Sequence, residues 1–131
     1  MKTTPTLLAA LTVALFSGHA MAMTKAEYDA AKDVIKAEYK ADKANCATLA
    51  GNAKDVCEEE AEGKEDIAKA DLEAQYKPTP RNQEKARVAR ADAAYEVAKE
   101  KCDDLSGDTK NSCEKDAKAA HTAALKTARA K

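Results

Sequence analysis

Two cysteine pairs with identical spacing constrain this chain more than any other feature of its sequence. The segment from Cys46 to Cys57 reads C-x2-L-x-G-x2-K-x2-C, and the segment from Cys102 to Cys113 repeats this frame 56 residues later. An offset of 56 residues equals about eight heptads, which predicts a helical unit that is duplicated in phase with itself. The sequence therefore predicts a repeated architecture organised around the four cysteines.

The residues in the middle of each frame predict a tight reversal between two helices. Gly51 and Gly107 suit the left-handed position that follows the end of a helix. Asn52 and Asp108, which come next, are favoured N-caps for a following helix. We therefore expect one helix-to-helix turn at 51/52 and an equivalent turn at 107/108.

The positions of the cysteines around these turns predict how they pair. Cys46 and Cys57 are equidistant from the midpoint of the first turn, and Cys102 and Cys113 are equidistant from the midpoint of the second. In an antiparallel hairpin such residues face each other. A single unbroken helix would instead separate each pair by about 16 Å, beyond the reach of a disulfide. The predicted bonds are Cys46–Cys57 and Cys102–Cys113.

Apolar side chains recur every three or four positions on four stretches, which is the pattern of amphipathic helices. The predicted helices span about 24–50, 53–76, 80–107 and 108 to near the C-terminus. Leu49 and Leu105 lie on the predicted apolar faces, and Tyr28 and Tyr76 should meet at the open end of the first hairpin. The predicted fold class is thus all-α, with two tandem disulfide-stapled antiparallel hairpins, 23–78 and 79–131, forming a four-helix up-down bundle.

The alanine-rich, coiled-coil-like pattern leaves the relation between the hairpins open. They could pack into one bundle, lie end to end, or complete their small cores by dimerising. Alanine buries little apolar area for each residue, so the two disulfides should contribute a large share of the stability.

The N-terminal segment 1–22 has the pattern of a secretory signal peptide. Lys2 precedes an apolar run from Leu7 to Phe16 that is too short to cross a bilayer, and Ala20 and Ala22 fit the small positions of a cleavage site. We predict cleavage after Ala22 and a periplasmic protein with no membrane-spanning segment in the mature chain. Export also favours disulfides over zinc, whose cysteine ligands usually lie closer together in sequence.

The charge pattern argues against nucleic acid as a partner. The whole chain has a formal net charge of −1, and positive and negative side chains are mixed along it. Nucleic-acid binding requires a concentrated basic face, and no such patch is present in the sequence.

The sequence offers few residues for catalysis or metal binding. His121 is the single histidine after the signal segment, and the Cys-x-x-Cys spacing of thiol oxidoreductases does not occur. The acidic run Glu58-Glu59-Glu60 with Glu62 points around one helix, so we interpret it as a solvated face. We predict a non-enzymatic protein with no cofactor, no metal ligands and no catalytic residues.

Several stretches resemble a group of small exported proteobacterial proteins of unknown function, often labelled TolA-like or cell envelope biogenesis proteins. The resemblance is carried by the segments 28–32, 39–46, 91–95 and 101–104. It implies a structural, protective or interaction role in the cell envelope, with envelope proteins or a second copy of the chain as partners. The alternative is a periplasmic binding protein, either a chaperone-like adaptor or a weak divalent-metal buffer.

Overall fold

The computed structural model describes residues 22–130, which form four α-helices. The helices are α1 (Lys25–Cys46), α2 (Asn52–Tyr76), α3 (Pro80–Cys102) and α4 (Gly107–Arg129). The predicted all-α class is therefore confirmed. The predicted signal segment lies, apart from Ala22, outside the described residues.

Local capping explains where two of the helices begin. Thr24 and Glu27 form a capping box at the start of α1, in which each side chain bonds the backbone N–H of the other residue. Thr79 caps α3 by accepting a hydrogen bond from the Asn82 N–H at 3.1 Å, and Pro80 occupies the first helical position. These caps satisfy N–H groups that have no partner within the helix.

The two disulfides have the predicted pairing. Cys46 lies opposite Cys57 with a Cα–Cα distance of 5.5 Å, and Cys102 lies opposite Cys113 at 5.7 Å. Cys46 and Cys102 are the largest fully buried side chains of the described residues, with exposed fractions of 1% and 0%. Each bond ties the end of one helix to the second turn of the next, as the hairpin interpretation requires.

The turns depart from the prediction in the role of their glycines. Gly51 and Gly107 have positive φ angles of 59° and 57°, but α1 and α3 have already ended at the preceding cysteines, before each glycine. Gly51 is the N-cap of α2, and Gly107 is the first residue of α4. Both glycines therefore start a helix instead of ending one.

The predicted N-cap roles of Asn52 and Asp108 are consequently wrong. Asn52 is the first residue of α2, and Asp108 lies within the first turn of α4. The physical reason is that the chain leaves each helix at the cysteine through a short turn, such as the one closed by the Leu49 N–H on the Cys46 carbonyl at 3.0 Å. Packed helix axes are about 8–10 Å apart, so the reversal uses the extra residues of this turn to cross between them.

The helices pack in chain order. Within residues 22–130, α1 contacts α2, α2 contacts α3, and α3 contacts α4, whereas α1 and α4 do not meet. The up-down arrangement is thus confirmed, with the layer of helices open between its first and last members. Because α2 and α3 belong to different hairpins, their contact joins the two hairpins side by side.

Small side chains make the contact between α2 and α3 close. Gly63 of α2 lies against Ala93 of α3, and a Cβ atom added to Gly63 would come within 2.8 Å of the Ala93 Cβ. The buried apolar residues of the described chain are also mostly small. They are Cys46, Ala61, Leu72, Ala86, Ala91, Cys102 and Ala128.

Polar contacts between helices account for residues that seem misplaced on the apolar stripes. Asp42, which interrupts the stripe of α1, pairs with Lys64 of α2 at 3.0 Å. Tyr28 stacks on Tyr76 with ring centroids 4.4 Å apart, as predicted, and donates a hydrogen bond to Glu73 at 2.8 Å. The contacts of Tyr28 hold the open end of the first hairpin, whereas the pair of Asp42 and Lys64 lies nearer the disulfide.

None of the helices in residues 22–130 is both long enough and apolar enough to cross a membrane.

Candidate functional site

Both disulfide connections lie at the same end of the molecule, because successive helices alternate in direction. We call this surface the disulfide end and define it by the connections 47–51 and 103–106. The Asn52 side-chain N–H donates to the Glu100 carbonyl at 2.8 Å, so the start of α2 is fastened to the last turns of α3. The end is further held by an ion pair between Lys110 and Asp103 at 2.8 Å. The predicted cysteine and turn residues of the two repeats thus lie at the same end of the molecule.

The disulfide end exposes two leucines that the sequence pattern placed on buried faces. Leu49 is 44% exposed and Leu105 is 39% exposed, and the two occupy the same position of the repeated frame. The prediction that they belong to the core is wrong because both lie in the connections, after the helical periodicity has ended. A fixed pair of exposed leucines can take part in an apolar contact with another molecule.

A second candidate site is a groove of about 280 Å³ between α2 and α3. Its floor is the close contact of Gly63 and Ala93, and its walls carry five carboxylates. They are Glu59, Glu62 and Asp66 of α2 and Asp92 and Glu96 of α3. We call this feature the acidic groove. The sequence showed the acidic run on α2, but only the packing of α2 against α3 brings the carboxylates of α3 to it.

The carboxylates of the acidic groove differ in their surroundings. Glu62 lies 3.6 Å from the Lys43 ammonium, and Glu96 lies 3.2 Å from Lys99. Partial burial, followed by the nearby charges of Glu62, Glu100 and Glu96, raises the pKa of the Glu59 carboxyl. The negative charge of Glu59 is therefore unfavourable in the folded state.

The pKa of Glu58, the neighbouring residue in sequence, shifts in the opposite direction because of a lysine on α1. Its carboxylate lies 3.0 Å from the Lys43 ammonium, and the hydrogen bond from Lys43 lowers the pKa of Glu58. Glu58 and Glu59 are adjacent in sequence but point to different sides of α2, toward α1 and toward α3. The consecutive glutamates of the acidic run are thus divided between two interfaces.

The acidic groove does not provide a preformed metal site. In the part of the chain that the structure describes, no three His, Cys, Asp or Glu side chains are grouped closely enough to hold a metal ion. Calcium needs six or more oxygen ligands around one point. The carboxylates of the groove are spread along two helices, so they can attract cations only through their summed charge.

His121, the single histidine of residues 22–130, joins α4 to α3. Its ring stacks on Tyr95 with centroids 4.5 Å apart, and its Nε2 lies 2.6 Å from an oxygen of Asp92. Tyr95 is the repeat position of Tyr39, so the stack of His121 on Tyr95 corresponds in place to the hydrogen bond that the Tyr39 hydroxyl donates to Glu62 in the first hairpin. The partner Asp92 was not evident from the sequence, because it lies 29 residues away and carries no local signal.

No protein-family profile, curated protein or solved structure matches this chain. The resemblance to small exported envelope proteins therefore stays a prediction from the sequence. The two disulfides fit an exported protein, because such bonds persist in oxidising compartments.

Proposed function

We propose that the mature chain is a non-enzymatic periplasmic protein that works through contacts with other proteins of the cell envelope. In this role the stapled hairpins form a rigid helical scaffold, and the disulfide end is the surface that meets a partner. A chaperone-like adaptor would use the same surface. The proposal combines the signal pattern, the two disulfides and the exposed surface of the scaffold.

The observation that carries the proposal is the exposure of Leu49 and Leu105 beside the two disulfides. Each leucine follows its buried cysteine by three residues, so its backbone is anchored by the bond. An apolar side chain held in this way loses little conformational freedom on binding, which favours its use in an interface. The repeated frame then presents two equivalent anchors at one end of the molecule.

In-cell photo-crosslinking tests this role. A photoreactive residue placed at Leu49 or Leu105 should give a discrete adduct with another envelope protein in the periplasmic or membrane fraction. The matched control is Gln75, which is also exposed but lies at the opposite end of α2. Adducts at Gln75 equal to those at Leu49, or no adduct at either leucine, would contradict the proposed surface.

A weak divalent-metal buffer is the alternative, and the five carboxylates of the acidic groove are the observation that favours it. Calcium or magnesium bound only by the folded state would raise the melting temperature as its concentration increases. The double substitution Glu62→Gln with Asp66→Asn should then abolish the rise. An unchanged melting temperature of the unsubstituted protein in about 10 mM calcium, far above the dissociation constants of about 1 mM or less of extracellular calcium modules, would exclude this alternative.

A further inference from the structure

The outer face of α1 is an exposed apolar stripe on the side turned away from α2, except that Ala41 at its edge also lines the groove between the two helices. Its members recur every three or four residues and are all exposed. They are Ala26, Ala30, Val34, Ala37, Ala41 and Ala44. Val34 is 56% exposed, the highest value among the exposed large apolar side chains of the described residues. The inner face of α1, which carries Tyr28, Tyr39 and Cys46, makes the contacts with α2.

The internal repeat shows what this face does when a neighbour is present. The positions of Ala30 and Ala37, moved forward by the 56-residue offset, are Ala86 and Ala93 of α3. Ala86 is buried, and Ala93 makes the close contact with Gly63 of α2. In the second repeat, then, the same helix face packs against another helix. In the first repeat it is open, because α1 has no helical neighbour except α2 within residues 22–130.

The outer face of α4 is poorly suited to cover this stripe. By the repeat, α4 would have to pack on α1 as α2 packs on α3, with Ala119 in the place of Gly63. A Cβ on Gly63 would come within 2.8 Å of the Ala93 Cβ, so the methyl of Ala119 would be crowded in the same way against Ala37, which is the repeat position of Ala93. The same arrangement would also bring Lys115 and Lys118 next to Lys36 and Lys40, since these are the repeat positions of the acidic groove.

The stripe is instead complementary to itself. Its central members are spaced symmetrically, with Val34 and Ala37 flanked at equal intervals by Ala30 and Ala41. An antiparallel second copy therefore places Val34 against the other Ala37, and Ala30 against the other Ala41. Small residues at these positions allow two helices to approach closely.

The charges beside the stripe favour the same register. Asp33 and Lys40 lie on the same flank, Asp33 before the centre and Lys40 somewhat further after it. A two-fold axis therefore brings the Asp33 of each copy near the Lys40 of the other, with an offset of about 3 Å along the helix that a lysine side chain can span. Neither side chain forms an ion pair inside the described part of a single chain. Both are thus available for contacts between copies.

We propose that the outer face of α1 joins two copies of this chain in an antiparallel, two-fold symmetric dimer. The dimer continues the layer of helices through the α1 pair, with α4 at each outer edge. A single helix pair buries less than the roughly 1,200 Å² of a stable interface, so the association is weak and depends on concentration. The proposal does not depend on the envelope role, because it concerns a different face from the disulfide end.

Sedimentation equilibrium of the oxidised mature chain tests the dimer. We expect a concentration-dependent dimer that Val34→Lys weakens at least about tenfold, because the substitution buries a charge at the centre of the contact. Ala119→Lys is the matched control on the outer face of α4 and should leave the dimer unchanged. Circular dichroism at low concentration checks that both variants keep the helical fold, which is expected since both positions are exposed.

A charge exchange tests the register. Asp33→Lys and Lys40→Asp should each weaken the dimer, and the two together should restore it. A protein that stays monomeric up to about 1 mM, a concentration at which even weak transient complexes are populated, would overturn the proposal. It would also be overturned by a dimer that Val34→Lys leaves intact or that Ala119→Lys disrupts.

Discussion

Gly63 is the residue on which the joining of the two hairpins depends most directly. It lies where α2 approaches α3, and its missing side chain lets the Ala93 methyl contact the backbone of α2. Glycine normally costs a helix about 1 kcal/mol relative to alanine. The close approach of the two helices explains why this position nevertheless suits glycine.

Gly63→Ala should therefore destabilise the protein although it improves helix propensity. Overpacking against a rigid neighbour costs about 1–3 kcal/mol, which exceeds the propensity gain of about 1 kcal/mol and leaves a net loss of about 1 kcal/mol. Urea denaturation of the oxidised protein measures this change. The double variant with Ala93→Gly should be more stable than the sum of the single effects, and simple additivity would contradict the contact.

Glu59 should make stability depend on pH in a direction opposite to that of a salt-bridged carboxylate. Its pKa is raised in the folded state by burial and by neighbouring carboxylates. Above that folded-state pKa the charged form destabilises the fold, and as the pH falls through it the folded state takes up the proton first. Glu59→Gln should therefore raise the melting temperature at about pH 7, and the gain should disappear near about pH 3, where the carboxyl is protonated in both states.

The control for this prediction is Glu58→Gln at the neighbouring position. The hydrogen bond from Lys43 lowers the pKa of Glu58, so this substitution should not stabilise the protein at neutral pH. A lower melting temperature for Glu59→Gln at about pH 7 would show that the acidic groove does not destabilise the charged form of Glu59.

At the scale of the elements, each hairpin combines a disulfide at one end with an aromatic contact, which lies at the open end of the first hairpin and near the middle of the second. The first hairpin has the stack of Tyr28 on Tyr76, and the second has the stack of Tyr95 on His121. Since the helix interfaces consist largely of alanine, neither hairpin buries much apolar area for each residue. The disulfides compensate by restricting the unfolded chain.

Removal of one disulfide should lower the free energy of unfolding by about 2–3 kcal/mol, the value expected for a closed loop of this length. The substitutions are Cys46→Ser with Cys57→Ser, or Cys102→Ser with Cys113→Ser. Both bonds span a sequence separation of 11 residues, so the two losses should be similar. Thermal melting followed by circular dichroism measures them, and equal melting of the oxidised and reduced protein would refute this account of stability.

The sequence was a good guide to the elements and a poor guide to their connections. The four helices and both disulfides followed from periodicity and from the symmetry of the cysteines, because these are local signals. Leu49 and Leu105 continued the apolar period in sequence, but the chain leaves the helix at the cysteine and exposes them. Helix periodicity carries no information on the residue at which the helix stops.

Contacts between distant segments were the part of the candidate sites that sequence reasoning missed. The acidic groove requires α2 and α3 to lie side by side, and the pairing of His121 with Asp92 requires the fold of the second hairpin. Asp42 interrupts the apolar stripe of α1, and its partner Lys64 lies on the facing helix α2. Each case depends on which residues meet across an interface, which the period of a single helix does not encode.

At the scale of the whole molecule, residues 22–130 form a layer of four helices in which each helix contacts only its neighbours in sequence. This order places both disulfides at one end and leaves an outer face on α1 and on α4. The proposed periplasmic role uses the disulfide end, and the proposed dimer uses α1. Both depend on the disulfide pairing described above, and the envelope role also depends on export of the chain.

The central claim is that the chain is exported and oxidised, with one disulfide within each repeat. Peptide mapping tests it most directly, on protein that is isolated from the producing cells with its free thiols blocked. Trypsin cleaves after Lys54 and Lys110, so it separates the cysteines of each pair and leaves them joined only by their disulfide. We predict a periplasmic protein that begins at Met23 and yields two linked peptide pairs, Cys46 with Cys57 and Cys102 with Cys113. Blocked free cysteines in a protein that retains residues 1–22, or bonds that cross between the two repeats, would contradict the account.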